Sequence, residues 1–138
     1  MRTKLRAREF SSAVSLAAIT TNIITNQETV SMTRYGSVIG VRPEAVQQYK
    51  KRHAKVWPEV LDVIRRCNIR NYSIYLKDDL LFGYFEYHGS DFEADMAKMA
   101  ADPKTQEWWK LVGPMQRPLE SRAKGEWWAG MEEIFHLD

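Results

Sequence analysis

Cysteine is almost missing from this chain. Cys67 stands alone, so no intrachain disulfide can form and nothing in the sequence asks for an oxidising compartment. Glycine and proline are scarce as well, seven and five residues in 138, which excludes collagen-like and low-complexity disordered classes. No stretch approaches the ~18 consecutive apolar residues of a spanning helix, and no membrane partner is expected. Metal patterns are lacking: there is no His pair four residues apart, no cysteine cluster and no acidic loop of calcium type. Neither a glycine-rich phosphate loop nor a G-x-S-x-G elbow occurs, so the expected cofactor set is empty, metal included.

An excess of one charge is also lacking where it would matter. The formal charge is +2, and Arg2, Lys4, Arg6 and Arg8 against Glu9 and Glu28 place all of it in residues 1–33. The remainder holds sixteen basic and sixteen acidic residues, a neutral body that argues against a nucleic-acid partner. Residues 1–33, basic and then rich in Ser, Thr and small apolar residues, read as an N-terminal extension. A transit peptide, a weak secretory signal and a start at Met32 are the three readings it permits. We set it apart from the domain, 34–138, for which a cytoplasmic location is expected.

What the chain does hold is a single domain's worth of apolar residues, 44%, with five Trp, six Tyr and five Phe. So many aromatics suggest that some face a ligand or a partner chain. R-Y-G-S-V-I-G-V at 34–41 predicts a first strand, and Pro43 suits the first turn of a helix running to about Lys55. Pro58 breaks that helix beside Trp57 and starts a second one, with Val60, Ile64 and Cys67 as its buried stripe. Ile69–Leu76 and Leu80–Tyr87, joined around Lys77-Asp78-Asp79, predict a hairpin. The second of these strands is apolar on both faces, which calls for cover on both. Ser90 to Ala101 opens with a capping-box pattern, Ser90 and Glu93, and should bury Phe92, Met96 and Met99. Thr105 to Val112 predicts a further helix ended by Gly113-Pro114. A loop around Trp127 and Trp128 follows, and Met131 to Leu137 reads as the last strand. The order β-α-β-β-α-β is a ferredoxin-like α+β unit with an antiparallel sheet. Its two-sided hairpin is covered most simply by a homodimer packing sheet on sheet.

Within the first helix Tyr49, His53 and Trp57 are spaced i, i+4, i+8 and share one face. An imidazole titrating near pH ~6.5 between two aromatic rings is a candidate acid-base group, whereas a lone His in the run Lys50-Lys51-Arg52-His53 would read as solvated surface. Because Pro58 follows directly, Trp57 is placed to support such a site rather than line it. His88 and His136 read as structural or exposed. Tyr72 shares a strand face with Ile74, where a core role is the commoner one. Trp108 and Trp109 point about 100° apart on a helix, so one can fill the core while the other lines a pocket. The chemistry these residues offer is proton transfer in an aromatic pocket, suited to a small neutral substrate.

Four stretches, Y-K-K-R-H-A-K-V-W-P-E-V at 49–60, N-Y-S-I-Y-L at 71–76, the Trp108-Trp109 pair and M-E-E-I-F-H-L at 131–137, together closely resemble the L-rhamnose mutarotase family. The resemblance covers 34–138. It implies a dimeric ferredoxin-like fold and cofactor-free interconversion of the α and β anomers of L-rhamnose. By position it places the proton donor on His53, acting at the ring oxygen, and the sugar contacts on Tyr49, Tyr72, Trp108 and Trp109. Two other classes stay open on this fold, a small dimeric monooxygenase and a sugar-binding module without turnover.

Overall fold

The computed structural model describes residues 31–138; nearly all of the N-terminal extension lies outside the described residues. Strand β1, Thr33–Val41, leads through a 3-10 turn at Pro43–Ala45 into helix α1, Val46–His53. Pro58 has the expected effect: Trp57 is extended, at φ −59° and ψ 134°, and helix α2 restarts at Pro58 and runs to Arg66. Strands β2, Ile69–Lys77, and β3, Leu80–Tyr87, form the predicted hairpin. Asp78 and Asp79 both adopt left-handed φ, 49° and 60°, the signature of a two-residue primed turn. Helix α3, Phe92–Ala101, is followed by helix α4, Pro103–Val112, and a 3-10 turn at Gly113–Met115. The chain closes with strands β4, Gln116–Arg117, and β5, Ala129–Met131.

The sheet is antiparallel throughout, in the order β2-β3-β1-β4, with β5 also paired to β1. This is the ferredoxin-like order, its last strand split into two short pieces along one edge of β1. The two faces differ. Leu81, Gly83, Phe85 and Tyr87 of β3 are buried beneath the helices, while Leu80, Phe82, Tyr84 and Glu86 are only half-buried on the other side. Under the helices lie two contiguous clusters, one around Ile39, Val41, Tyr49, Leu81 and Trp108, the other around Val63, Ile69, Phe85, Met96 and Met99.

Three local expectations are corrected. The stripe of α2 is Val60, Val63 and Cys67, and Ile64 is half-buried between the two clusters. Helix α3 is capped by Asp91 rather than Ser90: its carboxylate accepts the Ala94 N–H at 3.1 Å, a charged acceptor at the positive end of the helix. The terminal stretch is a strand only over Ala129–Met131. Because Met131 already pairs with Gly36, at most three residues of β1 remain to receive more chain, and a strand without a neighbour has no ladder to join. Past Met131 the chain is tied down by Arg34, whose guanidinium donates to both carboxylate oxygens of Glu133 at 2.8 and 2.9 Å. Ile134, Phe135 and Leu137 are left 91%, 79% and 79% exposed.

Asp95 anchors α3 to the sheet. Its buried carboxylate accepts from the Tyr87 hydroxyl at 2.5 Å and from Asn68 Nδ2 at 3.0 Å, which holds it below the usual carboxylate range. Tyr87→Phe is therefore expected to lower stability by about 1–3 kcal/mol in urea titration, because Asp95 loses its strongest donor. The depressed folded value gives stability that is complete above the unfolded carboxylate pKa and is lost as pH falls through the folded one. Acid titration of the Tyr87→Phe protein should show that dependence weakened.

Candidate active site

His53 is the last residue of α1, and its ring is fixed by its own helix. Nδ1 lies 2.9 Å from the Tyr49 carbonyl oxygen, one turn back. A carbonyl only accepts, so Nδ1 carries the proton of the neutral imidazole and Nε2 keeps its lone pair. The Tyr49 ring stacks on the imidazole, centroids 4.1 Å apart, and Trp108 meets it edge-on at 5.4 Å. Burial among these rings pushes the His53 pKa below its ordinary value, and the hydrogen bond to the Tyr49 carbonyl offsets part of that shift.

Tyr72 reaches the same place through a β-bulge. Pairing shifts between Arg70 and Ser73, so Asn71 and Tyr72 together oppose one residue of β3, with Asn71 at a left-handed φ of 49°. The extra residue lets Ile69 and Tyr72 both face the helices, and the Tyr72 ring stacks on Phe85 at 5.5 Å. Strand parity from Ile74 gives the right face for Tyr72, but nothing in the sequence announces the bulge.

Trp108 is buried and Trp109 half-buried, and both line the cleft. Trp57 does not line it; it packs edge-on against Trp108 at 5.3 Å, with Lys104 over its outer face, and so supports the cleft from behind.

The far wall was not foreseen. Gln116 of β4, 7% exposed, donates from Nε2 to the Tyr49 hydroxyl at 3.2 Å and accepts from Trp127 Nε1 at 2.8 Å. Backbone fit brings these residues in: a Cβ on Gly40 would stand 2.6 Å from the Arg117 carbonyl oxygen, so only glycine admits β4 here. The Trp128 ring packs beside Gly83, 3.4 Å from where a Cβ would be, an ordinary contact distance. The cleft so formed encloses about 580 Å³ of space between atoms, its open mouth included. Tyr49, His53, Tyr72, Trp108 and Trp109 all line it, joined by Gln116 and by Trp127 and Trp128 of the loop expected after the last helix. The side chains lining the cleft include no Asp, Glu, Lys or Arg. No group of three or more His, Cys, Asp or Glu that could hold a metal ion occurs among the described residues.

A family model for L-rhamnose mutarotase matches residues 34–137. The L-rhamnose mutarotase of Oceanobacillus iheyensis is 32% identical over 109 residues, covering 78% of this chain and all of its own. That of Pectobacterium atrosepticum is 36% identical over 115 residues, with the same shares covered. Among solved structures, an L-rhamnose mutarotase from Formosa agariphila superposes with a TM-score of 0.59 at 19% identity, covering 77% of this chain and 99% of its own. Tetracenomycin F2 cyclase from Streptomyces glaucescens reaches 0.57 at 15% identity, over 77% and 97%, and shares the fold.

The imidazole makes a direct prediction. In a pH titration followed by NMR, His53 should show a midpoint below 6.5 and, above it, the Nδ1-H tautomer; a midpoint above 6.5 would contradict its burial.

Proposed function

The chain belongs to the L-rhamnose mutarotase family, and we propose that it interconverts the α and β anomers of L-rhamnose in the aromatic cleft, with His53 moving the protons. It is an isomerase acting on a carbohydrate; the residue roles are our reading of the cleft. The observation that carries them is the Nδ1 hydrogen bond to the Tyr49 carbonyl, which leaves Nε2 as the free nitrogen of a cleft-lining ring.

Mutarotation removes a proton from the anomeric hydroxyl, adds one to the ring oxygen and breaks the bond between C1 and that oxygen. The aldehyde then turns about one bond and closes on its other face. Acting first as acid at the ring oxygen would require a charged imidazole, which burial disfavours. The neutral ring instead takes the anomeric proton at Nε2. By microscopic reversibility the imidazolium so formed is the donor when the ring closes, which keeps His53 as the proton donor of the closing step. Tyr72 and the tryptophans line the cleft, and in this reading Tyr72 hydrogen-bonds sugar hydroxyls while the tryptophans lie against the apolar face and methyl group of a 6-deoxy sugar. Because the reaction already proceeds in water, a ~10²- to 10⁴-fold gain from positioned acid-base groups is sufficient.

The assembly we propose is a cytoplasmic homodimer. Phe82 and Tyr84 are half-buried and Tyr75 is 67% exposed on the sheet face away from the helices, and the apolar tail side chains lie bare beyond it. A second copy laid sheet on sheet would cover this face. The free, buried thiol of Cys67 suits a reducing compartment.

Two measurements test the reading. His53→Ala should slow anomer exchange, followed by saturation-transfer NMR, by about 10²-fold or more while the fold is retained; unchanged exchange would remove His53 from its role, and rhamnose binding without accelerated exchange by the unaltered protein would sink the enzymatic reading. Sizing at micromolar concentration should give a dimer, and a monomer there would end the proposed assembly.

A further inference from the structure

The proton that His53 takes from the anomeric hydroxyl must be matched by one delivered to the ring oxygen, and the cleft holds a chain of hydrogen bonds whose direction can be worked out. An indole N–H can only donate. Trp127 Nε1, 2.8 Å from Gln116 Oε1, therefore fixes which way the Gln116 amide faces. With its oxygen turned to Trp127, the amide presents N–H groups to Tyr49, and Nε2 lies 3.2 Å from the phenol oxygen. Tyr49 Oη is thus an acceptor on its inner side, and its own O–H proton is left to point elsewhere. No protein acceptor for that proton occurs among the described residues, and Tyr49 lines the cleft.

We propose that Gln116, held by Trp127, is a positioning residue that turns the Tyr49 hydroxyl outward as a donor, so that Tyr49 protonates the ring oxygen while His53 Nε2 takes the anomeric proton. The step balances. The Tyr49 proton passes to the ring oxygen, which leaves C1 with the pair of the broken bond. The pair of the anomeric O–H becomes the second bond of the aldehyde, and that proton goes to Nε2. On closure both transfers reverse. The two oxygens involved are bonded to the same carbon, and the two side chains that serve them are stacked 4.1 Å apart. Burial holds the Tyr49 phenol up at about 12, so it stays protonated at neutral pH, and the Gln116 N–H stabilises the negative charge that develops on its oxygen. The proposal rests on placing the reaction in this cleft with His53 as the group that first accepts a proton.

Two variants test it. Tyr49→Phe removes the donor and keeps the ring on His53. Gln116→Glu keeps an acceptor for Trp127 but presents a carboxylate to Tyr49, which draws the hydroxyl proton inward. Each should lower kcat for anomer exchange by about tenfold or more with KM changed by less than about threefold and the thermal midpoint kept. The double variant should be no slower than Tyr49→Phe, because both changes remove the same proton. Wild-type kcat in Tyr49→Phe would overturn the donor role, and that variant decides alone if Gln116→Glu does not fold. Losses that multiply in the double variant would separate Gln116 from Tyr49 and overturn its positioning role. Exchange lost in His53→Ala but intact in Tyr49→Phe would refute this inference and leave the cleft reading standing; exchange intact in His53→Ala would remove both.

Discussion

The hydrogen bond from His53 Nδ1 to the carbonyl one turn back is the constraint on which the site depends. It settles in one stroke which nitrogen is protonated, which is open, and how the ring is held against Tyr49. The helix stops at His53, with Ala54 as its C-cap. Pro58 supplies the stop. By holding Trp57 extended it ends α1 four residues ahead, and the indole displaced from the helix face becomes the prop behind Trp108.

Around that fixed imidazole the sheet contributes through its irregularities. A regular β2 would have kept the alternation begun at Ile69 and turned Tyr72 away from the helices; the bulge at Asn71 resets it. A β1 with a side chain at position 40 could not have accepted β4 against it, since a Cβ there would stand 2.6 Å from the Arg117 carbonyl oxygen. The regular parts of the fold thus provide the core, and the exceptions to regularity aim the side chains, as bulges beside active sites commonly do.

This division explains what the sequence disclosed. The strands, the helix break and the hairpin follow from local spacing and turn chemistry, as does the shared face of Tyr49 and His53; locally Tyr72 reads as a core residue, and the sugar-contact roles of Tyr49, Tyr72, Trp108 and Trp109 come from the family resemblance. Gln116 was not legible, because its role arises from a contact with Tyr49 across 67 residues and from two-residue pairing that no periodicity reveals. The terminal strand is shorter than its alternation implies for a related reason: alternation marks what can pair, but whether pairing occurs depends on how much of β1 is left. Asp91 is the cap because the helix begins at Phe92, one residue later than the Ser90 and Glu93 pattern implies, and the two residue types cap about equally well.

The chemistry of the cleft also follows from what its wall omits. With no Asp, Glu, Lys or Arg among its lining residues, the site presents a neutral imidazole, phenols, indoles and one amide to a neutral sugar. A fixed charge beside the reacting groups would favour one of their protonation states and oppose the other. Ring opening and ring closing are the same step in opposite directions, so a catalyst for both must favour neither hydroxyl nor carbonyl strongly. Groups that are neutral at rest and become an ion pair only while the bond is breaking meet that requirement, because their attraction grows as charge develops and vanishes when the proton returns. Burial strengthens that transient attraction by lowering the local dielectric, and the same burial keeps His53 uncharged beforehand. In the proposed reaction the aromatic wall is therefore part of the acid-base machinery as well as a surface for the sugar to lie on.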